Sequence, residues 1–99
     1  MFVANVREVQ EFDKERYVSK LLFDMEKGRG ALFCLEPGQE VPTHAAPANI
    51  IFSVLSGHGV ITIGDEATSV KEGDLLLCPP DAPHGFKADE RFVILAFIL

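Results

Sequence analysis

Turn-forming residues interrupt this chain so often that no long helix fits between them. Six prolines fall between residues 37 and 83, and each would break a helix that ran through it. The apolar residues come instead in short runs, and such runs bounded by Gly and Pro predict β-strands. The predicted strands are Tyr17–Met25, Ala31–Glu36, Ile50–Leu55, Val60–Ile63, Thr68–Lys71, Leu75–Cys78 and Phe92–Leu99. This spacing predicts an all-β sandwich or closed barrel, and periodicity does not choose between the two.

Glycines mark the predicted turns. Lys27–Gly30 is predicted as a hairpin turn, because its two glycines would supply positive φ angles at little cost. Gly57, Gly64 and Gly73 fall at strand ends, where a barrel needs tight corners. Only Val6–Arg16 has a spacing that allows one short turn of helix.

Charge and length restrict the partners of the chain. Its 99 residues suffice for one domain, and its formal net charge is −6. The nine Lys and Arg residues are scattered without a cluster, whereas nucleic acids and anionic membranes require a concentrated basic face. We therefore expect neither nucleic acid nor membrane as a partner.

Apolar runs and cysteines bear on location. The longest apolar run, Phe92–Leu99, has eight residues, far fewer than the ~20 that span a bilayer. Residues 1–10 contain no continuous apolar stretch of the kind a secretory signal needs, so the expected location is the cytoplasm. Cys34 and Cys78 lie among apolar neighbours. They are predicted to be buried free thiols, with a disulfide as the alternative.

The segment Pro37–Phe86 resembles the cupin family. Gly38-QEVPT-His44 matches the first half of one cupin motif with its five-residue gap, and Gly57 stands where that motif ends. Gly73-DLLLC-Pro79, followed by His84, matches the second motif. Glycines, prolines and histidines in register over such a length make this a specific resemblance.

The resemblance implies a fold. A cupin is a double-stranded β-helix, also called a jelly-roll barrel, and here it would form a single domain over residues 1–99. The core barrel would cover about residues 18–99, with the motifs at 37–86. His44 and His84 are forty residues apart in sequence, and the barrel would bring them face to face at a central pocket.

The resemblance also shows what the site lacks. In metal-binding cupins the first motif supplies two His and a Glu, and the second supplies one His. Position by position, His44 and His84 are retained, while Ala46 replaces the second His and Ile50 replaces the Glu. A catalytic metal usually needs about three protein ligands. The expected cofactor is therefore none, or a divalent transition metal held weakly by His44 and His84.

Further residues near the motifs complete the expected pocket. Phe52 and Phe86 are predicted to line the barrel or its mouth, as core packing more often than as a stacking surface for a ligand. Asn49 and Cys78 are the nearest residues in sequence that could add a metal ligand. Neither is a strong candidate, because Asn is a poor ligand for transition metals and the side of the strand that Cys78 faces is not determined by the sequence.

Two histidines in such a pocket are useful without a metal, because imidazole donates and accepts hydrogen bonds and titrates near neutral pH. The first predicted function is binding of a small organic ligand through His44 and His84. The second is an enzyme: a metal-dependent dioxygenase or isomerase with an incomplete site, or a metal-free isomerase or lyase that uses the pair as acid and base. The third is a structural or regulatory dimer in which both histidines are without a role. The sequence does not decide between them.

The last predicted strand, Phe92–Leu99, is apolar on both faces. A strand of this kind must be covered on both sides, since an exposed apolar strand tends to aggregate. The barrel core can cover one face, and either a partner subunit or the N-terminal segment can cover the other. Cupins commonly dimerise, so the resemblance and the pattern together predict a homodimer.

Overall fold

The computed structural model describes all 99 residues, and its secondary structure is entirely β. The nine strands are β1 (Val18–Met25), β2 (Gly28–Leu35), β3 (Glu40–His44), β4 (Ile50–Ser56), β5 (His58–Ile63), β6 (Glu66–Lys71), β7 (Leu75–Cys78), β8 (His84–Ala88) and β9 (Phe92–Ile98). They form a five-stranded sheet in the order β1-β2-β9-β4-β7 and a four-stranded sheet in the order β3-β8-β5-β6. Each of the seven predicted strands is present. The structure thus confirms the all-β class and the double-stranded β-helix.

The core lies between the two sheets because side chains alternate between the faces of each strand. In β4, Ile50, Phe52 and Val54 are buried, whereas Ile51 and Ser53 between them are only half-buried. Facing strands of the smaller sheet supply further members. The buried core residues are Leu35, Val41, Ile50, Phe52, Val54, Ile61, Val70, Cys78, Phe86, Ala88, Phe92, Ile94 and Ala96.

Two strands, β3 and β8, have no counterpart among those predicted from the sequence. Pro42 lies within β3, and the strand tolerates it because β3 is at the edge of its sheet and pairs only with β8. Most of β3 is exposed, so it lacks apolar alternation. In β8, Gly85 allows a close approach of the two strands, since a Cβ there would lie 2.8 Å from the carbonyl oxygen of Val41.

The prediction of a glycine turn at Lys27–Gly30 is wrong in position. The turn occupies residues 26–27, and both glycines belong to β2 without positive φ angles. Gly30 instead provides space, because a Cβ there would overlap the ring of Phe23 on the neighbouring strand. Arg29 between the two glycines therefore lies on a strand, not in a turn.

The N-terminal segment covers part of the outer face of the larger sheet. Val6–Arg16 contains no helix; one turn closes where the Asn5 carbonyl oxygen accepts a hydrogen bond from the Val9 N–H at 3.1 Å. Val9 and Phe12 then pack over a buried outer cluster. That cluster consists of Leu32, Cys34 and Val93. Cys34 and Cys78 are both buried and free, as the sequence predicts.

Part of the same outer face stays uncovered. On β9, Val93 is buried under the N-terminal segment, while Phe97 is only half-buried and contacts Phe23 with 6.3 Å between ring centroids. On the edge strand β7, Leu75 and Leu77 are 65% and 69% exposed. The N-terminal segment thus covers one end of this face only, and the homodimer stays a prediction. The structure contains no helix long and apolar enough to cross a bilayer. The cytoplasmic location stays a prediction.

If a second copy covers the exposed leucines, Leu77→Glu places a charge in the contact and shifts the chain to monomer. Ala67→Glu, on the exposed edge strand β6 of the other sheet, introduces the same charge and leaves the molecular mass unchanged. Sedimentation equilibrium measures both variants. A wild-type chain that is monomeric, or a Leu77→Glu variant that remains dimeric, contradicts a dimer through this face.

The corner glycines give a second prediction. Gly57, Gly64 and Gly73 have φ angles of 78°, 63° and 94°, as predicted for tight corners. At Gly57 a Cβ would also overlap the backbone carbonyl of Arg91, whereas at Gly64 no atom lies within 4 Å. Gly64→Ala should cost about 1–2 kcal/mol from the left-handed backbone alone, and Gly57→Ala at least about 3 kcal/mol. Urea unfolding of both variants checks this; equal losses would show that the contact with Arg91 is relieved at no cost.

Candidate functional site

A cavity opens between the two sheets at one end of the barrel. Its volume is about 80 Å³, well above the roughly 10–15 Å³ that a cavity needs to hold one water molecule. Drug-sized ligands occupy pockets of about 300–1,000 Å³; this cavity therefore suits a much smaller molecule. The lining residues are Arg29, Phe33, His44, Ala46, Ile50, Phe52, His84, Phe86, Ala96 and Ile98.

All six pocket residues expected from the sequence line this cavity. The six are His44, His84, Ala46, Ile50, Phe52 and Phe86. The lining also contains Arg29, Phe33, Ala96 and Ile98, which the sequence analysis does not single out. The structure thus brings the expected residues together, while a ligand-binding role for them stays a prediction.

His44 and His84 face each other because β3 and β8 pair in antiparallel register at this point. The two residues are direct cross-strand partners, and their ring centroids are 4.4 Å apart with an angle of 63° between the planes. His84 is 3% exposed, whereas His44 is exposed at the cavity mouth. One imidazole thus forms the inner end of the polar site and the other forms its outer end.

Backbone carbonyls contact the same nitrogen of each ring. The carbonyl oxygen of Ala82 lies 3.1 Å from His84 Nδ1, and that of Pro42 lies 3.4 Å from His44 Nδ1. A carbonyl only accepts, so a neutral imidazole here carries its proton on Nδ1. Neither Nε2 has a hydrogen-bond partner in the chain. Each ring therefore has an Nε2 lone pair for a ligand.

Burial determines the charge of His84. It lowers the pKa of His84, because the charged form loses hydration. The hydrogen bond to Ala82 acts in the opposite direction, and the neighbouring His44 lowers the pKa further. His84 is therefore a neutral acceptor at pH 7, with its lone pair on Nε2.

Cys78 packs behind His84. Its Sγ lies 3.6 Å from His84 Nδ1, on the side of the ring that also contacts the Ala82 carbonyl. Burial raises the pKa of the Cys78 thiol, so it stays protonated. Cys78 is not among the residues that line the cavity. Cys78 thus packs against the imidazole from outside the lining of the cavity.

The residues present do not fit a firmly held metal ion. The two imidazole Nε2 atoms suit a transition metal, and backbone contacts at Nδ1 orient metal-binding histidines in general. The positions that would complete the set are Ala46 and Ile50, whose side chains cannot coordinate. No three His, Cys, Asp or Glu residues lie close enough to hold a metal ion. A metal that bound here would depend mainly on water for its remaining ligands, so weak or no binding stays the prediction.

Arg29 is the site residue that sequence reasoning misses most clearly. It lies near the start of β2, opposite Ile98 of β9, and both side chains line the cavity. Phe33, four residues further along the strand, lines the same cavity, as period-two alternation requires. Alternation along β2 is the sequence signal that could have identified Arg29 as a lining residue. The prediction of a turn at Gly28–Gly30 removes Arg29 from the strand and hides that signal.

These features define a small antiparallel β-barrel with an internal pocket that contains two histidines. The family model described as Cupin domain matches residues 31–98, and this chain belongs to the cupin family. No curated protein matches it.

Solved structures agree with this assignment. An RmlC-like cupin protein from Desulfovibrio desulfuricans is 30% identical, with a TM-score of 0.91 over 99% of this chain and 95% of that one. A conserved protein of unknown function from Streptococcus pyogenes is 28% identical, with a TM-score of 0.87 over 98% and 85%. Salicylate 1,2-dioxygenase from Pseudoaminobacter salicylatoxidans is 22% identical and has a TM-score of 0.79, over 94% of this chain but 29% of the enzyme. That last likeness shows the fold alone.

The pKa of His84 can be measured by NMR titration of its ring protons, and we expect it to lie below the ordinary value of about 6.5. In His44→Gln it should rise towards that value, because the neighbouring imidazole is one cause of the lowering. The unfolded chain binds the His84 proton at a higher pH than the folded chain does. The free energy of unfolding should therefore fall as the pH drops through 6.5, and less so in His84→Asn. A His84 pKa at or above 6.5 would contradict a desolvated ring.

Proposed function

We propose that this protein binds a small organic molecule in the barrel cavity through His44 and His84. The observation that carries the proposal is the pair of facing imidazoles, 4.4 Å apart, in a cavity whose other walls are mostly apolar. Binding sites for small molecules combine apolar walls with a few convergent polar groups in this way. The polar groups orient the ligand, and the walls supply most of the binding energy.

The walls are suited to an aliphatic group. Seven of the ten lining residues are hydrophobic, and Ile50 and Phe52 belong to the buried core. Each Å² of apolar surface removed from water contributes roughly 25 cal/mol. Because the cavity is small, this sum stays modest, and the histidine hydrogen bonds must add specificity. We expect a ligand of few atoms that binds with micromolar to millimolar affinity.

An enzymatic role is the second candidate, and His84 favours it. A neutral imidazole with a lowered pKa and a free Nε2 can accept a proton from a bound substrate. The imidazolium formed on His84 can then return that proton to another atom of the substrate, which is what a metal-free isomerase or lyase needs. A metal-dependent dioxygenase or isomerase is less well supported, since Ala46 and Ile50 leave the metal set incomplete. A ligand recovered chemically unchanged after long incubation separates binding from catalysis.

Filling the cavity tests the proposal. Ala46→Phe places a large ring in the lining, while Ala67→Phe places the same ring on the exposed edge strand β6, away from the cavity. The probes are a panel of C3–C4 carboxylic acids, their amides and the corresponding alcohols, observed through the ring resonances of His44 and His84. We expect at least one probe to shift both sets of resonances in the wild type and in Ala67→Phe, and none to do so in Ala46→Phe.

Two results would reject binding in the cavity. One is that no member of the panel shifts the histidine resonances of the wild type. The other is that Ala46→Phe binds the same probes with unchanged affinity. In either case the third alternative, a dimer in which the two histidines have no role, would gain support.

A further inference from the structure

The charges around the cavity are distributed unevenly. The chain has 15 acidic and nine basic residues, yet none of the ten residues that line the cavity is acidic. Arg29 is the only lining residue that is permanently charged. Arg29 is therefore the one charged side chain that a ligand in the cavity can contact, and it is exposed to solvent.

Arg29 has no partner within the chain. Lys20, Lys87 and Arg91 each lie within 4 Å of a carboxylate, whereas no carboxylate lies that close to Arg29. The nearest acidic residues by position are Asp24, its cross-strand neighbour on β1, and Glu26. Both line the outer groove that adjoins the cavity, but neither forms an ion pair with Arg29. The guanidinium therefore keeps its planar set of donors free for a ligand.

The polar residues that line the cavity, Arg29 and the two histidines, require different chemical groups. Arg29 donates and cannot accept, so it selects an anionic acceptor such as a carboxylate. The Nδ1 atom of His84 lies against the Ala82 carbonyl oxygen and its Nε2 has no partner in the chain. In the neutral ring Nε2 offers a lone pair, which a carboxylate cannot use and to which a hydroxyl group can donate.

We infer that the ligand is a short-chain hydroxycarboxylate, with its carboxylate at Arg29 and its hydroxyl at the histidine pair. The inference rests on the proposed function, since it assigns a chemical class to the ligand of the same cavity. The volume of about 80 Å³ restricts the ligand to a molecule of few heavy atoms. Ile50, Phe52 and Ala96 line the same cavity and would contact its carbon chain.

Isothermal titration with matched probes tests the assignment. The probes are lactate and 3-hydroxybutyrate, the amide of each, and the acids without the hydroxyl, propionate and butyrate. Replacing the carboxylate by an amide removes the charge and keeps the shape, and we expect it to weaken binding to the wild type about tenfold or more. Removing the hydroxyl should weaken binding by a smaller factor, about three- to tenfold.

The matched variants are Arg29→Gln and Lys27→Gln, which remove the same charge from the same hairpin. Lys27 does not line the cavity. Arg29→Gln should bind an acid no better than its amide, while Lys27→Gln should keep the wild-type preference. Raising the salt concentration should weaken binding of the acids to the wild type and leave the amides unaffected.

The outcomes separate this inference from the proposed function. If acids and amides bind the wild type equally and Ala46→Phe abolishes both, the cavity binds ligands but Arg29 does not select a carboxylate. If Lys27→Gln loses as much preference as Arg29→Gln, the effect is general charge and the assignment to Arg29 is wrong. If no probe binds at all, the inference and the proposed function are rejected together.

Discussion

The side chain of Phe52 connects the two sheets, and the site depends on that connection. Phe52 lies in the middle of β4 in the larger sheet and is 1% exposed. Its ring lies 5.6 Å from the rings of both His84 and Phe86 on β8 of the smaller sheet. Aromatic edge contacts of this kind add about 0.5–1.5 kcal/mol to the burial of the ring. Phe52 therefore packs both in the core and against His84. Fold stability and site geometry are coupled through this residue.

Much of the fold follows from local pattern. The ends of β4, β7 and β9 are predicted within one residue, because each strand coincides with a short apolar run, and Gly57 and Pro79 follow the first two. The strands β3 and β8 are not, because one is mostly exposed and contains Pro42, and the other is short and contains Gly85. These two strands form the register that sets His44 opposite His84. Only the motif resemblance, and no periodicity, could predict that the histidines meet.

Arg29 illustrates why sequence patterns do not predict the remaining residues of the site. A Gly-X-Gly sequence is compatible with a turn that needs positive φ and equally with a strand that needs space. Here the requirement is space, for the ring of Phe23 against Gly30. Phe23 is only seven residues away in sequence, but the contact depends on the register of the β1–β2 hairpin, which the residue types alone do not determine. The same difficulty applies to the N-terminal segment, whose cover over Val93 becomes visible only in three dimensions.

The replacement of two metal-ligand positions by Ala46 and Ile50 changes the kind of anion recognition that the barrel can perform. A bound metal ion would attract an anion from the centre of the histidine set and would draw both Nε2 lone pairs to itself. Without a firmly held metal, those lone pairs stay available to a donor, and the only permanent positive charge in the lining belongs to Arg29. A guanidinium binds oxygen through directional hydrogen bonds and does not act as a Lewis acid. Charge and acceptors thus belong to different side chains, which favours a ligand with two different polar groups over a symmetric anion.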